Sequence, residues 1–105
     1  MQIFMSKRIK SNIYIYMVYN ITDYSYKQAK LLGVEIKPST NKTKKIDIFK
    51  DGKKIASSGF YGMKDFPTYT IEKGKAYADE RRRLYHIRHA KDKSLNAFYA
   101  KKILW

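Results

Sequence analysis

Asp51-Gly52 sits between two short runs in which polar and apolar residues alternate, Lys45-Ile46-Asp47-Ile48-Phe49-Lys50 before it and Lys53-Lys54-Ile55-Ala56 after it. Alternation with a period of two is the pattern of a strand with one face buried. An Asp-Gly pair between two such runs supplies the positive φ values that a type I′ turn needs at both central positions. The spacing therefore predicts an antiparallel hairpin in which residues 45–50 and 53–57 pair. The tip of that hairpin is very basic, with Lys50, Lys53 and Lys54 around the turn and Lys44 and Lys45 at its foot.

The rest of the chain is arranged around this hairpin. Residues 12–22 are β-branched and aromatic almost throughout and read as a strand. Tyr26 to Leu32 reads as a short helix closed by Gly33, and Val34 to Lys37 as a short strand ended by Pro38. The polar stretch 38–43 is a loop, and residues 58–69, with two glycines among large aromatics, form a second, tighter one. Pro67 pushes Phe66 towards an extended conformation in that loop. From Lys75 to Lys93 there is no Gly or Pro, so a long helix is expected. On a helical wheel Tyr77, Leu84 and Ile87 fall in one apolar sector, while Arg82, His86, His89 and Lys93 share the opposite side. That predicts a helix packed through Leu84, Ile87 and much of Tyr77, with a basic ridge towards solvent. A second short helix, Leu95 to about Leu104, ends in the apolar anchor Ile103-Leu104-Trp105. The fold class that follows is α+β: a small antiparallel sheet with a basic β-hairpin, then one long and one short C-terminal helix. The length suits a single domain, with residues 1–43 as an N-terminal strand and helix segment and 44–105 as hairpin plus helices.

Charge narrows the function. Lys and Arg number 23 against nine Asp and Glu, a formal net charge of +14. The excess is spread out: five basic residues against two acidic in 1–35, eight against three in 36–65, ten against four in 66–105. A disordered basic arm would concentrate it in one block. A folded body that carries this much charge repels itself, which points to a polyanionic partner: nucleic acid, an anionic surface or acidic protein. The bias towards Lys, Ile, Asn and Tyr is also what an AT-rich genome imposes, which accounts for part of the excess. There is no cysteine, which rules out disulfides, thiolate metal sites and a cysteine nucleophile. The longest apolar run, Ile13 to Ile21, is far short of the roughly 20 residues of a spanning helix, so no transmembrane segment is expected. The early Lys7, Arg8 and Lys10 without an acid faintly resemble a transit peptide, but the Tyr-Ile-Tyr alternation that follows favours a strand.

The candidate phosphate-binding residues are cations. Arg81, Arg82 and Arg83, with Arg88, His89 and Lys93 further along the helix, can present bidentate donors to backbone phosphates. Their plainer role is a solvated helix face paired with Asp79 and Glu80. The three consecutive arginines point in directions about 100° apart, so at least one lies towards the core. Lys44, Lys45, Lys50, Lys53 and Lys54 of the hairpin can enter a groove as β-ribbons do, or merely protect a strand edge. Tyr14, Tyr16 and Tyr19 can stack on bases, though sheet-surface packing is the commoner role of such residues. His86, His89 and Asp92 are spaced three apart but lack further ligands, and no metal or cofactor is expected. No carboxylate pair, nucleophile elbow or Gly-rich phosphate loop stands out, so no catalytic residue is expected.

Three segments carry a resemblance. They are Gly59-Phe60-Tyr61-Gly62-Met63-Lys64-Asp65-Phe66-Pro67-Thr68-Tyr69, then Arg82-Arg83-Leu84-Tyr85-His86-Ile87-Arg88-His89, then Ala97-Phe98-Tyr99-Ala100 with Ile103-Leu104-Trp105. Together they resemble a family of small uncharacterised basic proteins of large (giant) DNA viruses. That family's pattern runs G-x-x-G-Y-x-D-[YF]-T, then R-x-x-Y-x-x-R-H, then A-G-[FY] and a closing [IL]-L-W. The likeness covers about residues 44–105. Met63 departs from it at the aromatic position after the second glycine, and Asn96 stands where Gly is expected. The resemblance implies a viral origin and transfers no activity.

The reading that results is a non-catalytic protein that binds nucleic acid, DNA rather than RNA, through backbone phosphates with little sequence preference. The alternative is a virion component, a minor capsid protein whose basic face meets acidic capsid proteins or packaged genome. Either places it in the host cytoplasm or nucleus, or in the particle, and not outside the cell.

Overall fold

The computed structural model describes residues 19–105. The order of elements is helix α1 (Asp23–Leu32), strands β1 (Glu35–Pro38), β2 (Lys44–Lys50) and β3 (Lys53–Phe60), helices α2 (Phe66–Lys73), α3 (Lys75–Arg88) and α4 (Leu95–Tyr99), and a π-helical turn, Ala100–Leu104. The three strands form one antiparallel sheet in the order β1-β2-β3, so the fold is α+β.

The hairpin forms as its turn residues dictate. Asp51 and Gly52 have φ of 52° and 79°, both positive as a type I′ turn requires. Lys50 pairs with Lys53 across the turn, and a bulge between Ile48 and Phe49 shifts the register before Ala56 faces Ile48. The bulge adds twist and lets the sheet wrap over its cover. β1 joins the other edge, with Ile36 opposite Ile48 and Pro38 opposite Ile46. Pro38 ends β1 because it has no N–H to offer the ladder.

One face of the sheet is aliphatic. Ile46 and Ile48 are completely buried there, and Ile103 and Leu104 close over them with Ala29 of α1, Val34, Ile36, Ala56 and Tyr99. Burying each of the Ile, Leu and Val side chains stabilises the fold by about 1.5–3 kcal/mol. The π-helical turn is what brings Ile103 and Leu104 inward together, with the Trp105 N–H donating to the Ala100 carbonyl five residues back. Helix α1 is capped by Thr22, whose hydroxyl accepts from the Ser25 N–H, and by Gly33 in the left-handed region. It is tied to the C-terminal segment by two side-chain donors, the Ser25 hydroxyl to the Ile103 carbonyl at 2.9 Å and the Gln28 amide to the Lys102 carbonyl at 3.2 Å.

The other face is polar and nonetheless shut. Asp47 is buried there and accepts from the hydroxyls of Ser39 and Ser57, at 2.6 and 2.7 Å, and from the Thr40 N–H. Burial opposes its charge, but these donors and the nearby Lys54 ammonium outweigh that and hold its carboxyl below the usual range.

Several expectations need correction. The strand expected over 12–22 lies mostly outside the described residues, and within them Tyr19 to Thr22 form no strand. The loop expected over 58–69 is instead the end of β3, a short turn and helix α2. Asp65 caps that helix through its carboxylate and the Thr68 N–H, and Pro67 sits in the first turn, where its missing N–H costs nothing. Phe66 is consequently the first residue of a helix, not an extended one. Helix α3 stops at Arg88, short of Lys93. It also faces the opposite way from expectation. Ile87 is 61% exposed and Tyr77 46%, Leu84 is only partly covered, and the fully buried residue of α3 is Ala78. The surface that meets α3 is aromatic rather than aliphatic, and it selects guanidinium and ring faces over the Leu84/Ile87 stripe.

Candidate functional site

Arg81, Arg82, Tyr85 and His86 of α3 and His89 at its C-terminal cap are all partly buried, as is Leu84. The ridge expected to face solvent is therefore largely the packed side of the helix. The Arg82 guanidinium lies 3.9 Å from the centre of the Phe66 ring and donates to Asp79. Arg81 lies over Tyr69 at 5.5 Å. The Tyr85 ring stacks nearly parallel to Trp105, with centroids 4.3 Å apart and 6° between planes, and His89 lies at the same distance from Tyr85. A flat cation over a ring face, partly desolvated, contributes about 1–2 kcal/mol. Stacking of this kind adds about 0.5–1.5 kcal/mol. Burial holds His86 below the ordinary imidazole value, with Arg82, Lys101 and Lys102 adding to that effect against the Trp105 backbone.

The α2–α3 pair is joined to the sheet at one buried node. The Lys45 ammonium, on the polar face of β2, meets the Asp65 carboxylate at 2.8 Å, and the Tyr19 hydroxyl donates to the same oxygen. Asp65 is completely buried and Lys45 is 4% exposed. Burial works against the Asp65 charge, but Lys45 together with Tyr19 and Thr68 keeps its carboxyl below the usual range. Burial and the Asp65 charge push the Tyr19 phenol upwards, so it stays protonated.

Beside this node lies a cleft of about 510 Å³. It is bounded by the foot of the hairpin and the turn after β3 (Lys44, Gly59, Phe60, Met63, Lys64), by Tyr69 of α2, by Arg81, Tyr85, Arg88 and His89, and by the C-terminal segment from Asp92 to Trp105. Gly59 has φ of 83°, and a Cβ there would stand 2.6 Å from Leu104 Cδ1 and 3.0 Å from Lys45 Cδ. No side chain fits at that point of the wall.

The sequence-derived cations divide into groups. Lys44, Arg81, Arg88 and His89 converge on the cleft. Lys50 and Lys53 stand exposed at the hairpin tip, while Lys54 leans 3.4 Å from Asp47. Arg83 is exposed and held by Glu80 through two hydrogen bonds. Lys93 is exposed in the loop after α3, away from the cleft lining. Lys45 is withdrawn from any ligand by its ion pair, because strand alternation places it on a face that the Asp65 turn then covers.

Among the described residues Lys44, Arg81 and Arg88 have no carboxylate within ion-pair distance, and the Arg81 Nε is buried without an acceptor. Asp92 is the carboxylate of the lining; it accepts from the Ser94 N–H, and the nearby Lys101 and His89 help to hold it below the usual range. The cleft thus offers a surplus of positive charge beside Tyr69, Tyr85 and Trp105. Reading the residues for charge passed over Tyr69, Trp105 and Asp65 as site residues, although Asp65 stands in a helix-capping position and Trp105 in the C-terminal apolar anchor. Gly59, Tyr85, Arg88, His89, Leu104 and Trp105, from three separate stretches of the chain, meet in this lining. Among the described residues no group of three or more His, Asp or Glu is placed to hold a metal, and no helix is long and apolar enough to cross a membrane. Set against known protein families, curated proteins and solved structures, the chain matches none.

Proposed function

We propose that this is a non-catalytic nucleic-acid-binding protein of a large DNA virus, which grips backbone phosphates and reads little sequence. The observation that carries it is a set of cations left without acidic partners. Lys50 and Lys53 project at the hairpin tip, and Lys44, Arg81 and Arg88 line the cleft near its foot. Lys50 and Lys53 face each other across the turn, a like-charge pairing that costs stability and that a phosphate between them would relieve.

The test is an electrophoretic shift titration against duplex DNA, single-stranded DNA and RNA over a range of salt. With about six phosphates contacted, log K falls against log[salt] with a slope near −5. Replacing Lys50 and Lys53 by Ala flattens that slope by about one to two units. Scrambling the DNA sequence changes little, because phosphate contacts position a protein without specifying bases. No shift at low salt removes this reading.

A second reading, a minor capsid protein meeting acidic capsid surfaces or packaged genome, is favoured by large apolar side chains left exposed on the α2–α3 pair: Ile71, Tyr77 and Ile87. Stoichiometric presence in purified particles would support it, and absence from them would remove it.

A further inference from the structure

The cleft is not shaped for duplex phosphates alone. A duplex backbone is met by convex ridges and tips, as the hairpin offers. A concavity of about 510 Å³ is instead the size at which proteins enclose a small molecule or one projecting unit of a polymer. Its lining combines two chemistries. Arg81, Arg88 and Lys44 have no carboxylate within ion-pair distance and face a lining whose carboxylate is Asp92, and Arg81 Nε is a buried donor that lacks an acceptor. Tyr69, Tyr85 and Trp105 supply aromatic surface on the helical side, and Phe60 and Met63 stand exposed on the other, at 66% and 59%. A ligand that satisfies both is an anion attached to a flat ring.

We propose that the cleft binds one unpaired nucleotide, its base on the exposed Phe60 ring opposite the aromatic wall that ends in Trp105, and its phosphate on Arg81 and Arg88. This rests on the nucleic-acid reading above and makes the protein prefer single strands to duplex. The base is unavailable to such a ring while it is paired and stacked inside a helix. Each base–aromatic contact strengthens binding and tolerates any sequence, since every base has a π face. The geometry of the wall is set before the ligand arrives: Tyr85 is held by Trp105 and His89, and Gly59 lets β3 pack directly against Leu104 and Lys45. The same chemistry is present in a free nucleotide and in a nucleotide within a strand, and the test separates the two.

Trp105 is the only tryptophan of the chain, so indole emission reports on the cleft directly. The full chain is titrated with AMP, with inorganic phosphate, with a short oligothymidylate and with a blunt DNA duplex. The oligothymidylate is expected to quench Trp105 emission and to bind about tenfold more tightly than a duplex of equal length. Arg81→Gln is expected to weaken the oligothymidylate about tenfold and the duplex less than about threefold. Arg88→Gln serves as the second variant, because Arg88 is exposed and its guanidinium stands 5.9 Å from the Tyr85 ring centre. Quenching by AMP as well identifies the free nucleotide as a sufficient ligand; quenching by the oligothymidylate alone identifies the strand. Binding of both polymers with unchanged emission and equal losses in the variants overturns the cleft proposal and leaves general phosphate binding standing. Equal responses to inorganic phosphate and AMP overturn it too, since no ring is then recognised. Quenching by AMP without any polymer binding keeps the cleft and removes the nucleic-acid reading. Silence from all four probes removes both.

Discussion

Between the sheet and the C-terminal segment the contacts are aliphatic, with Ile46 and Ile48 under Ile103 and Leu104. Between the α2–α3 pair and that same segment they are rings, with Tyr85 on Trp105 and Tyr69 near it, and within the pair Arg82 lies on Phe66. The first kind of contact closes a core from which water is excluded. The second leaves gaps, because flat groups meet along one plane and do not interdigitate, and the cleft is one of those gaps. The difference teaches where a binding site can arise in a small protein: at the seam where packing changes from interlocking to stacking.

The largest expected effect falls on the node that joins the two regions. Lys45→Met leaves Asp65 buried without its counter-ion and should cost about 3–5 kcal/mol in urea unfolding. A loss under about 1 kcal/mol would show that the regions are joined elsewhere. The same pair gives a pH signature. Because the folded state lowers the Asp65 carboxyl, its contribution is complete above the unfolded value of about 4 and is lost as pH falls through the lower folded value. Lys45→Met should therefore blunt the acid destabilisation below about pH 4, and an unchanged acid limb would contradict the assignment.

Within the sheet, Ile48→Ala should cost about 2–5 kcal/mol, the range for a cavity in a closed core. At the seam, Tyr85→Ala should cost about 1 kcal/mol of stacking and change Trp105 emission. If Tyr85→Ala proves as damaging as Ile48→Ala, the contrast between the regions fails and the helical pair belongs to one cooperative core. The smallest effect is expected at Ile87→Ala, within about 0.5 kcal/mol of the parent protein, since that side chain points outward. A cost of several times that would mean that α3 packs by its aliphatic stripe after all.

Ile87 also marks where the sequence misleads. A helical wheel assumes that the covered side of a helix is the aliphatic one, and α3 breaks that assumption because its partner surface is Phe66, Tyr69 and Trp105. The hairpin was legible because a two-residue Asp-Gly turn and strict alternation are local signals, complete within a dozen residues. Helix α1 with its Gly33 stop and the anchoring role of Ile103 and Leu104 were legible for similar reasons. Helix α2 had its signal in plain view, an Asp three residues before Thr68 with Pro in the first turn, but the neighbouring glycines and aromatics suggested a loop. Of the candidate site, Arg81, Arg88, His89 and Lys44 were found by charge alone. Lys45 was not separable from them, because its burial depends on Asp65 twenty residues away. The cleft itself has no sequence signature, being made where distant segments fail to fill space.

The Ser25 hydroxyl and the Ile103 carbonyl that it meets are 78 positions apart. A ribosome therefore completes α1, the whole sheet and helices α2 and α3 while the oily face over Ile46 and Ile48 is still waiting for its cover. The hairpin can zip up early, since its contacts are near neighbours, but a sheet with one bare apolar side is a target for chaperones and for sticking to other chains. Birth order, more than final stability, sets the vulnerable moment in this protein's life. That moment ends only when the residues around Leu104 emerge and fold back.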